Sequence, residues 1–456
     1  MKRIAVVGSG IAGLSAAWHL SDPADPCQVT LFEAEPRAGG HAHTVDVTLP
    51  GRHGETLTHG VDTGFLVFNH RTYPRLKALF ERLGVDTVPS DMSFSVQADD
   101  GALEWSGHDL DSVFAQRRNL LRPRFIGMLA QIVRFNRLAT AQAQALGAMP
   151  LQADADALQP AEGPTVGEFL DAHGFSQAFR RWYLLPMLGC IWSCPAEQML
   201  RFPLVTMLRF CHNHGLLQVN DRPQWYTVRG GSRNYVQRML DRIGSVHLST
   251  PVLGIRRNPA GGAVVLTHHG AEHFDRVVLA CHTDQALRLL GEDATAAERE
   301  VLGAIRYHDN EAVLHTDVRV LPRRPKAWAA WNYEQARAEG QERGAVCLHY
   351  LINRLQPLPF QAPVIVTLNP IRPLDPGQVL RRMRYAHPVF DEAAIAAQRR
   401  LPAIQGLRNT WFCGAWAGYG FHEDGLTSAL QVVHDLRQRS QQRPHRSEAT
   451  NLKWAA

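Results

Sequence analysis

Gly8-Ser9-Gly10-Ile11-Ala12-Gly13 follows the apolar run Ile4-Ala5-Val6-Val7 and is answered twenty residues later by Glu33, which closes Val29-Thr30-Leu31-Phe32. This stretch decides the fold of the 456-residue chain. The short β-branched runs predict buried strands, and residues 12–20 between them predict a helix. Each glycine has its own task. Gly8 lets the chain turn sharply, Gly10 lets the backbone approach a pyrophosphate, and Gly13 lets the helix pack close to the strand. Free N–H groups and the helix dipole at Ile11 and Ala12 then favour an anion. Glu33, with Ala34 beside it, is placed to accept ribose hydroxyls and to repel a 2′-phosphate. The pattern predicts an α/β chain that begins with a Rossmann-type dinucleotide-binding unit.

The residues after Glu33 narrow the cofactor. Residues 33–40 read Glu-Ala-Glu-Pro-Arg-Ala-Gly-Gly. Here a plain NAD domain would continue into another helix and strand. Instead Gly39 and Gly40 open a loop that can lie against a second phosphate or a flavin ring, with Arg37 supplying charge-assisted contacts. From this point the chain resembles the flavin-containing amine oxidase superfamily, which includes monoamine oxidases, phytoene desaturases and protoporphyrinogen oxidases. The likeness continues at Val61-Asp62-Thr63-Gly64, Thr227-Val228-Arg229-Gly230-Gly231 and Thr250-Pro251-Val252. It resumes at Arg276-Val277-Val278-Leu279-Ala280 and ends with Phe412-Cys413-Gly414-Ala415 running to Gly425-Leu426.

The resemblance implies an amine oxidase-like fold. A Rossmann-type FAD-binding domain would be assembled from residues 1–70, 220–305 and 388–437. An interleaved α+β substrate domain would take 71–219 and 306–387, leaving 438–456 as a loose tail. It also implies Gly64 at the cofactor, backbone hydrogen bonds from Val252 to the adenine, and Gly414 near the flavin. A last helix from about Gly425 and Leu426 would aim its N–H groups at the flavin's pyrimidine edge, where negative charge develops on reduction. Cys413 lies near the region of covalent attachment in monoamine oxidases, but its neighbours differ, so the expectation is non-covalent FAD.

Composition agrees with a folded chain of two or three domains, 45% hydrophobic and 20% charged. A net charge of +5 gives no case for nucleic acid. Seven scattered cysteines show neither a disulfide framework nor a zinc pattern, even at Cys190 and Cys194, which fits a reducing cytoplasm and no metal. Met1-Lys2-Arg3 before an apolar stretch imitates a secretory signal, but the glycine spacing favours the cofactor reading. No uncharged apolar run reaches the ~20 residues of a membrane span. Between 111 and 147, six arginines interleave with apolar residues. Such a segment either lies at an anionic membrane surface or packs its apolar face into the substrate domain, and the second reading is preferred. Pro123 argues against one continuous helix there.

The block from Trp411 to Leu426 is rich in aromatic residues and glycines, which suits a flat ring approached by backbone. Phe421, as a wall of the substrate site, and His422 are the catalytic candidates, although this run is offset by about one residue from the amine oxidase pattern. Lys326 is a poor match to the water-holding lysine of some family members and reads as an exposed loop residue. The clusters 182–192, 225–226 and 328–333 are apolar and aromatic and suit a greasy substrate, although core packing explains most such clusters. Gly40-His41-Ala42-His43-Thr44-Val45-Asp46, Phe65-Leu66-Val67-Phe68-Asn69 and Gly420-Phe421-His422-Glu423-Asp424-Gly425 resemble a bacterial branch of NAD/FAD-binding oxidoreductases. That branch is associated with cyclopropane-fatty-acyl-lipid synthase and with desaturation of methylated acyl chains. The resemblance therefore implies an FAD oxidoreductase that abstracts hydride from a hydrophobic or lipid substrate, with oxygen or another carrier as acceptor. An amine oxidase, a flavin-dependent isomerase and a non-catalytic flavoprotein partner of a lipid-modifying enzyme remain open. A cytoplasmic protein with peripheral contact at the inner membrane is the matching location.

Overall fold

Arg3–Val7 forms the middle of a five-stranded parallel sheet. In spatial order the strands are Ser245–His247, Gln28–Phe32, Arg3–Val7, Arg276–Leu279 and Thr410–Phe412. Val6 stands opposite Leu31 on one side and Val278 on the other. Covered on both faces, the sheet needs continuous apolar strands rather than alternation, and Ile4, Ala5 and Val6 are fully buried. The structure is a computed structural model that describes residues 1–24, 27–145, 163–192, 195–218, 222–259, 261–335 and 346–441.

Ile11–Leu20 is the crossover helix, and the C-terminal helix His422–Gln441 packs beside it. The two share a core with Trp18, Tyr235 and Trp411. The C-terminal helix begins three residues earlier than the sequence pattern suggests and runs through residues 438–441, the start of the expected tail. Residues 442–456 lie outside the described residues. Val252–Arg257 and Ala263–Thr267 pair as an antiparallel hairpin, and Gly270–Phe274 adds a third strand.

The second sheet is seven-stranded and mixed. Its order is Val379–Pro388, Tyr307–His315, Ile365–Leu368, Cys347–Leu351, Trp331–Glu334, Phe94–Ala98 and Leu103–Ser106. All neighbours are antiparallel except Trp331–Glu334 with Phe94–Ala98. A helical layer of Pro123–Ala145, Val166–Ala172, Leu185–Trp192 and Leu204–Asn213 forms a separate core around Phe125, Phe135, Phe179 and Phe210. Pro123 occupies the first position of a 23-residue helix, where its missing N–H costs nothing. The segment before it is split into Leu110–Val113 and the turn Arg117–Leu121.

Residues 71–90 sit on the nucleotide side, away from the rest of the first substrate stretch. Pro74–Leu83 buries Leu76, Leu79 and Phe80 in the same core as the crossover helix, and Thr87–Ser90 pairs with Trp225–Val228. The amphipathic spacing of the helix dictates that burial. Among the described residues, no helix is long and apolar enough to cross a membrane.

Candidate functional site

The glycine loop and the first helix build an anion cradle. Gly8 has φ +101°, and a Cβ there would meet Ala280 O at 2.9 Å. A Cβ on Gly13 would overlap Gly8 O at 1.8 Å, so only glycine lets helix and strand approach this closely. Gly10 differs from both, because its Cβ position faces open space. It is the N-cap of Ile11–Leu20 with no side-chain cap, and the first helical bond runs from Leu14 N–H to Gly10 O at 2.9 Å. The N–H groups of the first turn are thus left for a ligand, and Gly10, Ile11 and Ala12 line a cavity of about 1750 Å³. Gly13 lies behind this surface and acts through packing.

Glu33 reaches back to the loop. Its Oε2 accepts from Ser9 N–H at 2.9 Å and Ser9 Oγ at 2.5 Å, and its Oε1 accepts from Glu35 N–H at 2.9 Å. A carboxylate has about four acceptor positions. Oε1 therefore keeps one for a ribose hydroxyl. Glu33, Ala34, Arg37, Gly39, Gly40, Gly64 and Val252 all line the same cavity. Arg37 donates to Gly40 O at 2.8 Å, and Gly39 N–H donates to Ser9 O at 3.0 Å, so the twin-glycine loop is pinned against the first one. Gly40 has φ +57°, and its Cβ would lie 3.0 Å from Gly10 Cα.

A buried carboxylate ties the two halves together. Asp62 accepts from Thr44 Oγ1 at 2.5 Å, from Ser232 N–H and Oγ at 2.9 and 2.8 Å, and from Gln356 Nε2 at 2.9 Å. Burial raises its pKa, although the Thr44 and Ser232 bonds pull the other way. Asp62 N–H in turn donates to Gln356 Oε1 at 2.9 Å, and Gln356 lies in the second substrate stretch.

The C-terminal block closes the far end of the cavity with Gly414, Ala415, Trp416 and residues 419–422. Gly414 N–H donates to Ser428 Oγ at 3.0 Å, and Trp416 Nε1 donates to Cys281 O at 3.2 Å. Phe421 N–H donates to Asp424 Oδ2 at 2.9 Å, a capping contact that starts the last helix at His422. Gly425 and Leu426 are consequently inside that helix. Gly425 N–H bonds Phe421 O at 3.1 Å, and Leu426 is buried in the core, so neither reaches the cavity surface. Burial lifts the Asp424 carboxyl to about 7 against the pull of the Phe421 and Tyr419 N–H groups. Phe421 does face the cavity, stacked on Phe210 with centroids 5.1 Å apart. His422 stacks on Phe65 at 3.7 Å and shares a 3.0 Å hydrogen bond with Tyr235 Oη, and burial drops its pKa to about 3.

Sequence reasoning missed the imidazoles along the wall between these ends. Thr63 Oγ1 donates to His43 O at 3.0 Å, so it accepts from Tyr385 O–H at 2.7 Å. Tyr385 Oη then accepts from His43 Nδ1–H at 2.9 Å. His41 lies between Tyr385 and His387, with centroids 5.0 and 5.2 Å away, and its Nε2 has no hydrogen-bond partner among the described residues. Burial lowers the pKa of His43 and of His387 to about 4 and holds His41 well below its ordinary value. These rings are neutral donors or acceptors at physiological pH. The only signal in the sequence was the His41-Ala42-His43 run after the twin glycine.

The open Gly10 face, the uncapped helix and the unpartnered His41 Nε2 fit a bound FAD, which the residues lining this cavity would hold. Cys413 is fully buried and absent from the lining, whereas Cys190 and Cys281 do line the cavity. Lys326 pairs with Asp111 at 2.7 Å on the surface, away from the cavity. On the opposite face of the seven-stranded sheet, Glu334, Cys347 and His349 come within ligand distance of one another, a grouping their spacing did not announce. His349 is already satisfied by Glu334 at 2.9 Å and Thr367 at 2.9 Å, and Arg372 occupies the other Glu334 oxygen at 2.6 Å. Cys194 lies outside the described residues.

Part of the same cavity forms a chamber lined by residues of the seven-stranded sheet and the helical layer. Its walls are Met92, Phe94, Met187, Ile191, Trp192, Leu216, Trp225, Trp331 and Tyr350. The carboxylates on the described cavity surface are Glu33, Glu35, Asp284 and Asp309, none of them in these chamber segments.

Comparison with known proteins agrees with this geometry. The family model described as flavin containing amine oxidoreductase matches residues 11–313, and the chain belongs to that family. Its members bind FAD, and the chain is an FAD-dependent oxidoreductase of the amine oxidase type. No curated protein sequence matches significantly. Among solved structures, a candidate protoporphyrinogen oxidase from Exiguobacterium sp. 255-15 is similar at 19% identity and TM-score 0.66, over 96% of this chain and 99% of that one. A fatty acid isomerase from P. acnes that produces CLA is similar at 18% identity and TM-score 0.64, over 96% and 98%. Cyclohexylamine oxidase from Brevibacterium oxydans IH-35A is similar at 15% identity and TM-score 0.65, over 97% and 100%. At these identities the likeness is one of fold.

Proposed function

We propose that the chain desaturates a fatty acyl chain of a membrane lipid. A hydride and a proton leave adjacent carbons, the proton passing to solvent, a C=C bond forms, and the electrons pass on to oxygen or another carrier. Bound FAD supplies the redox chemistry by accepting the hydride. The protein's own residues supply position and exclusion of water. The apolar chamber walls hold the chain, Phe421 and the Phe65–His422 stack border the reacting end, and the neutral imidazoles offer hydrogen bonds without charge.

The chamber lining carries this reading. The chamber segments offer no carboxylate to pair with a charged amine, which leaves only the aromatic faces of Trp192, Trp225, Trp331 and Tyr350 to receive one. Apolar and aromatic walls instead gain from burying methylene groups, at about 0.8 kcal/mol per CH₂. One fold relative, the P. acnes isomerase, acts on a fatty acid by its title, whereas cyclohexylamine oxidase acts on an amine.

Lipid analysis of a strain lacking the protein tests the proposal. The expected result is accumulation of saturated or methyl-branched acyl chains and loss of an unsaturated product. An unchanged acyl profile removes the acyl reading and leaves the amine oxidase. A phenotype that survives loss of FAD binding in a folded variant would indicate a non-catalytic partner of a lipid-modifying enzyme.

A further inference from the structure

We propose that the face built by residues 110–133 docks on an anionic lipid bilayer. The idea rests on the acyl-lipid reading for its purpose, while its test needs no turnover. Of the eleven large hydrophobic side chains exposed among the described residues, five fall in this span: Leu110, Leu120, Leu121, Ile126 and Val133. Leu110 is 78% exposed and Leu121 87%. Single exposed apolar residues are ordinary, but five within the span 110–133 are more than scatter across the surface supplies.

Local structure explains why they point outward. The helix cannot run through Pro123, so the chain before it is a short turn of helix and the 3₁₀ turn Arg117–Leu121, with Leu120 and Leu121 at its end. Helix Pro123–Ala145 then buries Phe125, Met128 and Phe135 and leaves Ile126 and Val133 on its outer side. The expectation of an apolar face packed inward is met by only part of the apolar residues.

Charge selects the partner. The span contains Arg117, Arg118, Arg122 and Arg124 against one acid, Asp111. Arg118 and Arg122 both donate to Ala102 O, at 2.7 and 2.8 Å, which fixes two guanidiniums beside the exposed leucines. Lys326 joins them through its 2.7 Å bond to Asp111. Exposed leucines flanked by cations match acyl tails and anionic headgroups together. A two-fold contact with a second copy would instead set the arginines against each other. The buried side of the same helix shares a core with Trp192 and Phe210, whose rings line the cavity. Docking would therefore bring the helical wall of the chamber to the bilayer.

The test is co-sedimentation of the FAD-loaded protein with vesicles of phosphatidylcholine alone or with about one third phosphatidylglycerol. The anionic vesicles should bind it at least about tenfold better, and the preference should fade as salt is raised. The pair Leu120→Asp and Leu121→Asp should reduce that binding about tenfold with FAD content and unfolding temperature unchanged. Arg117→Gln with Arg124→Gln should weaken the anionic preference and its salt dependence without touching the apolar residues, Arg118, Arg122 and Lys326 being left in place. Equal binding to both vesicle types, no binding, or binding unaffected by either variant pair overturns the proposal. So does a concentration-dependent dimer that the leucine pair abolishes.

Discussion

Two regions share one cavity and are built on opposite principles. On the nucleotide side, Cβ positions at Gly13, Gly64 and Gly39 would fall 1.8, 2.2 and 2.4 Å from backbone oxygens. Those sites work by what is left out, and no other residue fits them. The chamber side works by what fills it, with Met92, Met187, Trp225 and their neighbours supplying volume that other apolar side chains could also supply. Cofactor choice is therefore written in residues without substitutes. Substrate choice is written in residues that have many.

The largest effect should come from Gly13→Val. It drives a side chain into the Gly8 carbonyl, and the expected cost is about 3 kcal/mol or more, with no recoverable FAD-loaded protein. Soluble yield and flavin absorbance report it, and a normally loaded variant would refute the close-packing account.

A fall in pH should be next. Burial lowers the pKa of His19, His43, His214, His315 and His387 to about 4 and that of His422 to about 3, from ordinary values near 6.5. The unfolded chain thus binds more protons than the folded one between those limits. The stability contributed by these six rings is fully present above about pH 6.5 and is lost progressively as pH falls toward 4, while Asp424, lifted to about 7, opposes it in part. The melting temperature should drop by roughly 5 °C or more between pH 7.5 and 5. A flat profile would mean that these rings are solvated.

Gly10→Ala sharpens the contrast with Gly13. Its Cβ meets no protein atom, so apoprotein stability should stay within about 1 kcal/mol. FAD affinity should fall about tenfold or more, ~1.4 kcal/mol, because the methyl occupies the phosphate face. Equal losses of stability and affinity would erase the distinction between Gly10 and Gly13. The smallest effect belongs to the chamber. Met187→Leu conserves volume and should cost under ~1.5 kcal/mol, with FAD content unchanged and only the substrate KM shifted. Loss of flavin in that variant would show that the two regions are not separable.

The same contrast explains how much could be read from the chain. The strand, glycine loop, helix and Glu33 were legible because each meets a local physical demand within thirty residues. Arg276–Leu279 and Thr410–Phe412 were legible as blocks of the family resemblance, and their place as strands of the same sheet comes from the structure. The Asp62–Gln356 clasp was not, because its partners are 294 positions apart. Nor was the His43–Tyr385 contact, at a separation of 342. Helix Pro74–Leu83 shows a third limit. Its amphipathic pattern says that Leu76, Leu79 and Phe80 are buried, but not against which core. The start of the last helix was shifted by one side chain, Asp424, whose cap on Phe421 N–H outweighs the glycine signal at 425.

The most direct test of the account is anaerobic mixing of the FAD-loaded protein with a phospholipid carrying methyl-branched acyl chains, in parallel with a panel of mono- and polyamines. The lipid should bleach the visible flavin absorbance stably, and the amines should leave it unchanged. Bleaching by an amine with none by the lipid would contradict it.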